Sequence, residues 1–507
     1  MLQPVPPHPA GLQNLPDDIL RLVVEAAIGP RETLEDVIFN GSDGRRAIVL
    51  LPHRLSSVCR DLRDQIHSIP SLWSIVFVTF VDHAPTMDVQ LSLMRNQVHR
   101  AGASPLYIYL SSAPNLLSES FVSTLRWLEA VLPQAHTLAL WTGLRDQRLT
   151  PDSPCVTLLR TTLQLQRLSF NSVKNISPIS SDAQSLFPSN SSIQSARLCT
   201  VSPSAIGADQ LRHLKHLQLV CCTMQTDELV LLSDWWPELE TLSLSLTTSL
   251  GDLRGLTAPH SNLSSAITDQ LKGPPGYRFT MQYLTSLEIS GGAAERFYEQ
   301  AVFGRSAFTV PTPGPNIAWI SPNPSPVPPP APEAAARLPM HLPALREIRS
   351  TFSRTFAPDT FIRFFSEVAP GITDLTFVDS HPHDRLMMGY GRFVAEVVSY
   401  TPNLRRVAFE NLWFDAREFA SWGTCPVPVE LEVLRFHDCR ILHGAAEALV
   451  DALKPKTRPA ENQTASWKVH CLRIAQVDKT PLAMPVHTVE ELRELVDTLE
   501  FEDMEIF

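Results

Sequence analysis

The sequence predicts an α/β chain in which a short N-terminal helical module precedes an irregular array of stacked strand–helix units. Three observations predict it. The chain has 507 residues, and single hydrophobic cores stop growing at roughly 250–300 residues, so it must divide or stack repeats. Apolar residues in the first blocks, Leu15 to Ala26 and Arg54 to Ile66, recur at helical spacing. From there on, one six-residue pattern, apolar-x-x-apolar-x-apolar, returns again and again. Hydrophobic residues make up 44% and charged residues 19% of the chain, which suits a folded protein with a large core.

The helical module is expected over residues 12–78, after a disordered N-terminus over 1–11. It opens at Leu15-Pro16-Asp17-Asp18-Ile19-Leu20, where Pro16 suits a first helical turn and the two aspartates complement the positive end of the helix dipole. Leu15, Ile19, Leu22, Val23 and Ala26 follow at helical spacing. A stretch rich in charge and glycine, about 29–52, reads as an inserted loop. A second helix is expected from Arg54 to Ile66, with Leu55, Val58, Cys59 and Leu62 on one face. The module ends at Ile69-Pro70-Ser71-Leu72-Trp73.

The repeat array is expected over 79–487. Ile75 to Val78 and Leu106 to Leu110 are β-branched and aromatic runs that read as strands, with a helix from Val89 to Ala101 between them. The six-residue pattern then appears at Leu165/Leu168/Phe170, Leu214/Leu217/Leu219, Leu239/Leu242/Leu244, Leu284/Leu287/Ile289, Ile372/Leu375/Phe377, Leu404/Val407/Phe409, Leu431/Leu434/Phe436 and Val469/Leu472/Ile474. Weaker copies stand at Ala135/Leu138/Leu140, Ile193/Ala196/Leu198 and Leu345/Ile348. Successive starts lie 21 to 61 residues apart, centred near the ~20–29 of leucine-rich repeats. The fold expected is therefore an irregular leucine-rich-repeat solenoid, a curved parallel sheet with outer helices. A Pro-rich insertion over about 304–343, with twelve prolines from Pro311 to Pro343, cannot continue a helix or a central strand. Residues 488–507 are expected to form a capping helix, Val489 to Leu499, with Thr488 and Glu491 as a capping box, and an acidic tail.

Three blocks, Leu15 to Leu20, Val58-Cys59-Arg60-Asp61-Leu62-Arg63 and Ile69 to Trp73, together resemble an F-box of the form found in fungal F-box proteins with divergent leucine-rich repeats. The resemblance covers about residues 12–78. It implies a substrate-recognition subunit of a Skp-cullin-F-box ubiquitin ligase. Its helices would bind a Skp-type adaptor protein through Leu15, Pro16, Ile19, Leu20, Leu55, Val58, Cys59 and Leu62, with Trp73 bracing the module. The departure is the segment from about Gly29 to Pro52, where the family has a short turn. The alternative is a leucine-rich-repeat interaction scaffold whose N-terminal helices only cap the array.

A target protein would lie on the face formed by alternate strand residues. That face is expected to carry Arg349, Arg406, Arg435 and Arg473, whose guanidinium forks suit carboxylate or phosphate oxygens. Glu347, Asp374 and Glu410 are expected to balance them. The net charge of −11 and pI near 5.8 speak against a dedicated nucleic-acid surface. Neither a signal-like N-terminus nor an apolar stretch of membrane-spanning length occurs, so a cytoplasmic or nuclear location is expected. Eight cysteines without a C-x-x-C pair give no zinc or redox motif. Phosphate-cradling, zincin and nucleophile-elbow motifs are all missing. The expectation is a binding protein with no cofactor, no metal and no catalytic residue. The polar cluster from Asp379 to Asp384 reads as a loop.

Overall fold

The computed structural model describes residues 15–28, 51–79, 84–112, 119–142, 165–176, 192–201, 211–221, 235–246, 279–291, 340–352, 364–365, 371–379, 394–395, 397–398, 401–422, 429–442, 444–454, 456–457, 464–465, 467–475 and 484–502. The expected disordered N-terminus, nearly all of the 29–52 loop, residues 304–339 of the Pro-rich insertion and residues 380–384 of the polar cluster lie outside them. The chain divides into two compact units, Met1–Thr223 and Met224–Phe507.

The first unit opens with α1 (Asp17–Ile28), α2 (Leu51–Ser56) and α3 (Arg60–Ser68), followed by a 3-10 turn over Pro70–Trp73. A single second helix does not form. The chain breaks at Ser57-Val58-Cys59, where Cys59 turns extended and its Sγ accepts the Leu62 N–H at 3.4 Å, capping α3. Strand β1 (Ile75–Thr79), α4 (Ala84–Ala101), β2 (Leu106–Ser112), α5 (Glu119–Val131), β3 (Ala135–Thr142), β4 (Arg167–Ile176), β5 (Ser195–Val201) and β6 (His216–Val220) follow. Each strand runs parallel to the next. Parallel neighbours require a crossover between them, which explains the long spacing of the sequence pattern.

The second unit contains β7 (Thr241–Leu246), β8 (Phe279–Thr280), β9 (Ser286–Gly291), β10 (Met340–His341), β11 (Glu347–Phe352), β12 (Asp374–Asp379), β13 (Arg406–Glu410) and β14 (Trp413–Phe414). It continues with α6 (Ala416–Trp422), β15 (Val429–His437), β16 (Arg440–Ile441), α7 (Ala445–Leu453), β17 (Lys456–Thr457), β18 (Thr464–Ala465), β19 (Trp467–Ala475), α8 (Val486–Leu495) and β20 (Thr498–Glu502). Its main sheet is parallel in the order β7-β9-β11-β12-β13-β15-β19-β20. The short pairs β8/β10 and β14/β16 are parallel and β17/β18 antiparallel. Met340–His341, assigned by sequence to the Pro-rich insertion, is thus a paired strand.

All eleven copies of the sequence pattern bury their apolar anchors, each at 5% exposure or less. Register explains how. Leu242, Leu287, Ile348, Leu375, Val407, Leu434, Leu472 and Leu499 are successive cross-strand partners in the second unit. Val76, Ile108, Leu138, Leu168, Ala196 and Leu217 are partners in the first. Side chains alternate between faces with period 2, so one register places every anchor on the same side. The residues before β9, β11, β12 and β13, and Glu432 within β15, repeat one backbone bond. Thr285 N–H donates to Glu240 O (2.8 Å), Arg346 to Thr285 (2.9 Å), Thr373 to Arg346 (2.9 Å), Arg405 to Thr373 (2.8 Å) and Glu432 to Arg405 (2.7 Å). Each incoming chain thereby satisfies its polar groups on its neighbour.

The strands of the second unit leave the sheet at left-handed residues, Asn411 (φ 59°) and Asp438 (φ 52°), residue types that tolerate this conformation. Beneath them lies an aromatic core. Phe409 stacks between Phe377 (5.6 Å) and Phe436 (5.4 Å), and Trp422 stacks on Trp467 at 4.5 Å, whose Nε1 donates to Trp422 O at 3.0 Å.

At the C-terminus the expected capping helix is shorter and starts earlier. Pro485 precedes it, Thr488 makes no capping bond, and its buried hydroxyl has no partner. Leu499, placed by sequence on that helix, belongs to β20 and pairs with Leu472. Part of the expected acidic tail, Glu500 and Glu502, is also strand.

Candidate interaction surfaces

The outward face of the second sheet is ordered by the same register. One row runs Ser243, Glu288, Arg349, Thr376, Ala408, Arg435, Arg473, Glu500. Arg406 lies one row earlier, beside Asp374 and Val433. Three of the four expected arginines therefore share a row and the fourth does not.

Carboxylates of the same sheet engage Arg349, Arg406 and Arg473. Arg349 reaches Glu410 through both terminal nitrogens, Nη1 at 2.8 Å, and its Nε lies 3.4 Å from Glu288. The Glu410 hydrogen bonds raise the Arg349 pKa above its ordinary value, against some desolvation. Arg406 Nε stands 2.5 Å from Asp374, and Arg473 Nε 2.7 Å from Glu500. Ser243 donates to Glu288 at 2.9 Å. The face carries both signs intermixed, and an incoming anion would compete with carboxylates already seated.

A second polar cluster lies where the last strands begin, and sequence reasoning missed it. His470 Nδ1 is 2.5 Å from Asp497 and its Nε2 3.1 Å from Glu430, which also accepts from Lys468 Nζ at 2.8 Å. With a carboxylate facing each ring nitrogen, the imidazolium form alone can donate to both. Hydrogen bonds donated to Asp497 and Glu430 accordingly raise the His470 pKa, and those accepted from Lys468 and His470 lower that of Glu430. Aligning the repeats gives a signal for it, because Glu430 and Lys468 are cross-strand partners. Beside the cluster is a cleft of about 460 Å³ lined by Thr401, Asn403, Arg405, Glu430, Glu432 and His470, among others.

The helical head presents the third surface. Helix α1 has two apolar rows. Leu20, Val24 and Ile28 are buried at 0%, 2% and 4% exposure, whereas Ile19, Leu22 and Val23 are exposed at 41%, 54% and 44%. The helical spacing noted in the sequence, Ile19, Leu22 and Val23, is the outer row. Of the adaptor contacts implied by the F-box resemblance, Pro16, Ile19 and Val58 are exposed, and Leu15, Leu55 and Cys59 are half-buried. Leu20 and Leu62 are buried, at 0% and 2% exposure. Trp73 is wholly buried and its Nε1 donates to Ile66 O at 2.9 Å.

Among the described residues, no group of three or more His, Cys, Asp or Glu side chains could hold a metal ion, and no helix is long and apolar enough to cross a membrane. Cys439 is buried, and burial pushes its thiol up to about 12.

No family model and no curated protein matches the sequence. Among solved structures, the chain is similar to one described as the crystal structure of a TLR13–ssRNA13 complex, at 12% identity and a TM-score of 0.32. That match covers 79% of this chain and 46% of the other, so it spans less than half of the other's length.

Proposed function

We propose that the chain is a repeat-built scaffold for binding another protein, with no catalytic role of its own. The observation that carries this reading is the register of the second unit, which turns alternate polar residues of eight neighbouring strands outward on one face. The mixed charges of that face suit a partner of mixed charge, and a long polyanion would meet Glu288, Glu347, Asp374, Glu410 and Glu500 along with the arginines. A location in cytoplasm or nucleus goes with this reading.

A second reading is favoured by the outer row of α1. Exposed apolar side chains at helical spacing are the form of a helix-in-groove contact. Together with the three F-box-like blocks, they support a substrate-recognition subunit that docks on a Skp-type adaptor through Ile19 and Val58, Leu22 and Val23 joining them. Leu15, Pro16, Leu55 and Cys59 would border that contact, and the sheet face would hold the ubiquitination target.

One experiment tests both readings. The intact chain, an Ile19→Asp/Leu22→Asp variant and a Thr376→Arg/Ala408→Arg variant are used to capture partners with the proteasome blocked. The sheet variant is expected to lose a set of proteins that the head variant keeps, and the head variant to lose a Skp-type adaptor that the sheet variant keeps. Equal capture by the sheet variant contradicts the scaffold reading. Absence of the adaptor from the intact chain contradicts the second.

A further inference from the structure

Four elements of the first unit meet at the Trp73 indole. Arg100 of α4 lays its guanidinium over the ring, 4.4 Å from the centroid. His53 of α2 stands edge-on at 4.9 Å and 84°, and His67 of α3 at 5.4 Å and 63°. Three side chains able to carry positive charge thus surround one buried ring, and only Arg100 is charged at every physiological pH.

We propose that this cluster is an acid-sensitive joint, in which protonation of His53 and His67 gathers positive charge beside Arg100 and loosens the helical head from the first strand–helix repeat. A single cation over an indole is attracted by the ring quadrupole. Additional cations around the same ring repel the first, from half-buried positions where solvent screens them only in part. The surroundings offer little relief. Among the described residues, His53 faces Arg100 and His67, while His67 faces Arg100 and Arg63, with Asp64 as an opposing carboxylate. On α1, Glu25 accepts the Ser71 hydroxyl of the turn at 3.4 Å.

The direction in pH follows from this environment. Burial first and Arg100 second hold both imidazoles below the ordinary value of 6.5. A histidine depressed on folding is neutral in the folded state, so its contribution is complete above 6.5. It is lost as pH falls through 6.5 toward the folded values. The joint therefore opens on the acid side. The inference is independent of the function proposed above.

The test uses the full chain with carbon-13-labelled histidine, titrated by NMR from pH 8 to pH 5, with His53→Gln and His67→Gln assigning the two signals. Both midpoints are expected below 6.5, and Arg100→Met, which keeps the apolar stem, is expected to raise both by roughly half a unit. Thermal unfolding of the wild type should fall between pH 7 and pH 5 by more than that of the His53→Gln/His67→Gln variant. Midpoints at or above 6.5, midpoints unmoved by Arg100→Met, or equal acid losses in the two proteins would each overturn the proposal.

Discussion

Leu20 and Leu22 stand two positions apart on α1 in opposite surroundings, the first wholly buried and the second 54% exposed. Removing the Leu20 side chain leaves a cavity under the helix, so Leu20→Ala is expected to cost about 2–5 kcal/mol. Leu22→Asp touches no core contact and is expected to stay within about 0.5 kcal/mol. Denaturant unfolding of the two variants checks this, and comparable losses would show that both rows are core. The sequence contained both rows at helical spacing, and periodicity could not say which one meets the rest of the molecule. Tertiary packing decides that. The break at Cys59 was illegible for a similar reason, since no glycine or proline marks Ser57-Val58-Cys59 and a thiol is an uncommon helix cap.

At the scale of elements, the repeat strands were legible because ten of the eleven copies combine three anchors that must all be buried. The last strand was not, because the Thr488/Glu491 spacing suggested a helix running through Leu499. The alternation of Leu499 and Phe501 with Glu500 and Glu502 was the overlooked strand signal. Ion pairs across the sheet were beyond reach, since Arg349 and Glu410 lie 61 residues apart and meet only through register. The aromatic layer makes β13 the element on which its neighbours depend. Phe409 is fully buried and contacts rings from β12, β14, β15 and α6. Phe409→Ala is expected to cost about 3–5 kcal/mol, read as a lowered denaturant midpoint followed by tryptophan fluorescence. A change under about 1 kcal/mol would mean that the layer is not packed as described.

For the molecule as a whole, strand register determines what is core and what is surface, and so which side chains a partner can meet. A slip of one residue would turn every anchor outward. Disulfide trapping measures that register most directly. Thr376 and Ala408 are cross-strand partners on the outward face, at the ~4.8 Å strand spacing that a disulfide can bridge. Arg406 lies two residues back along the same strand, which adds ~6.6 Å and takes its Cα beyond that reach. Under mild oxidation, with linked peptides identified by mass spectrometry, a Thr376→Cys/Ala408→Cys variant is expected to cross-link and a Thr376→Cys/Arg406→Cys variant to stay open. Linkage of the second pair in preference to the first would contradict the register and the interaction surface built on it.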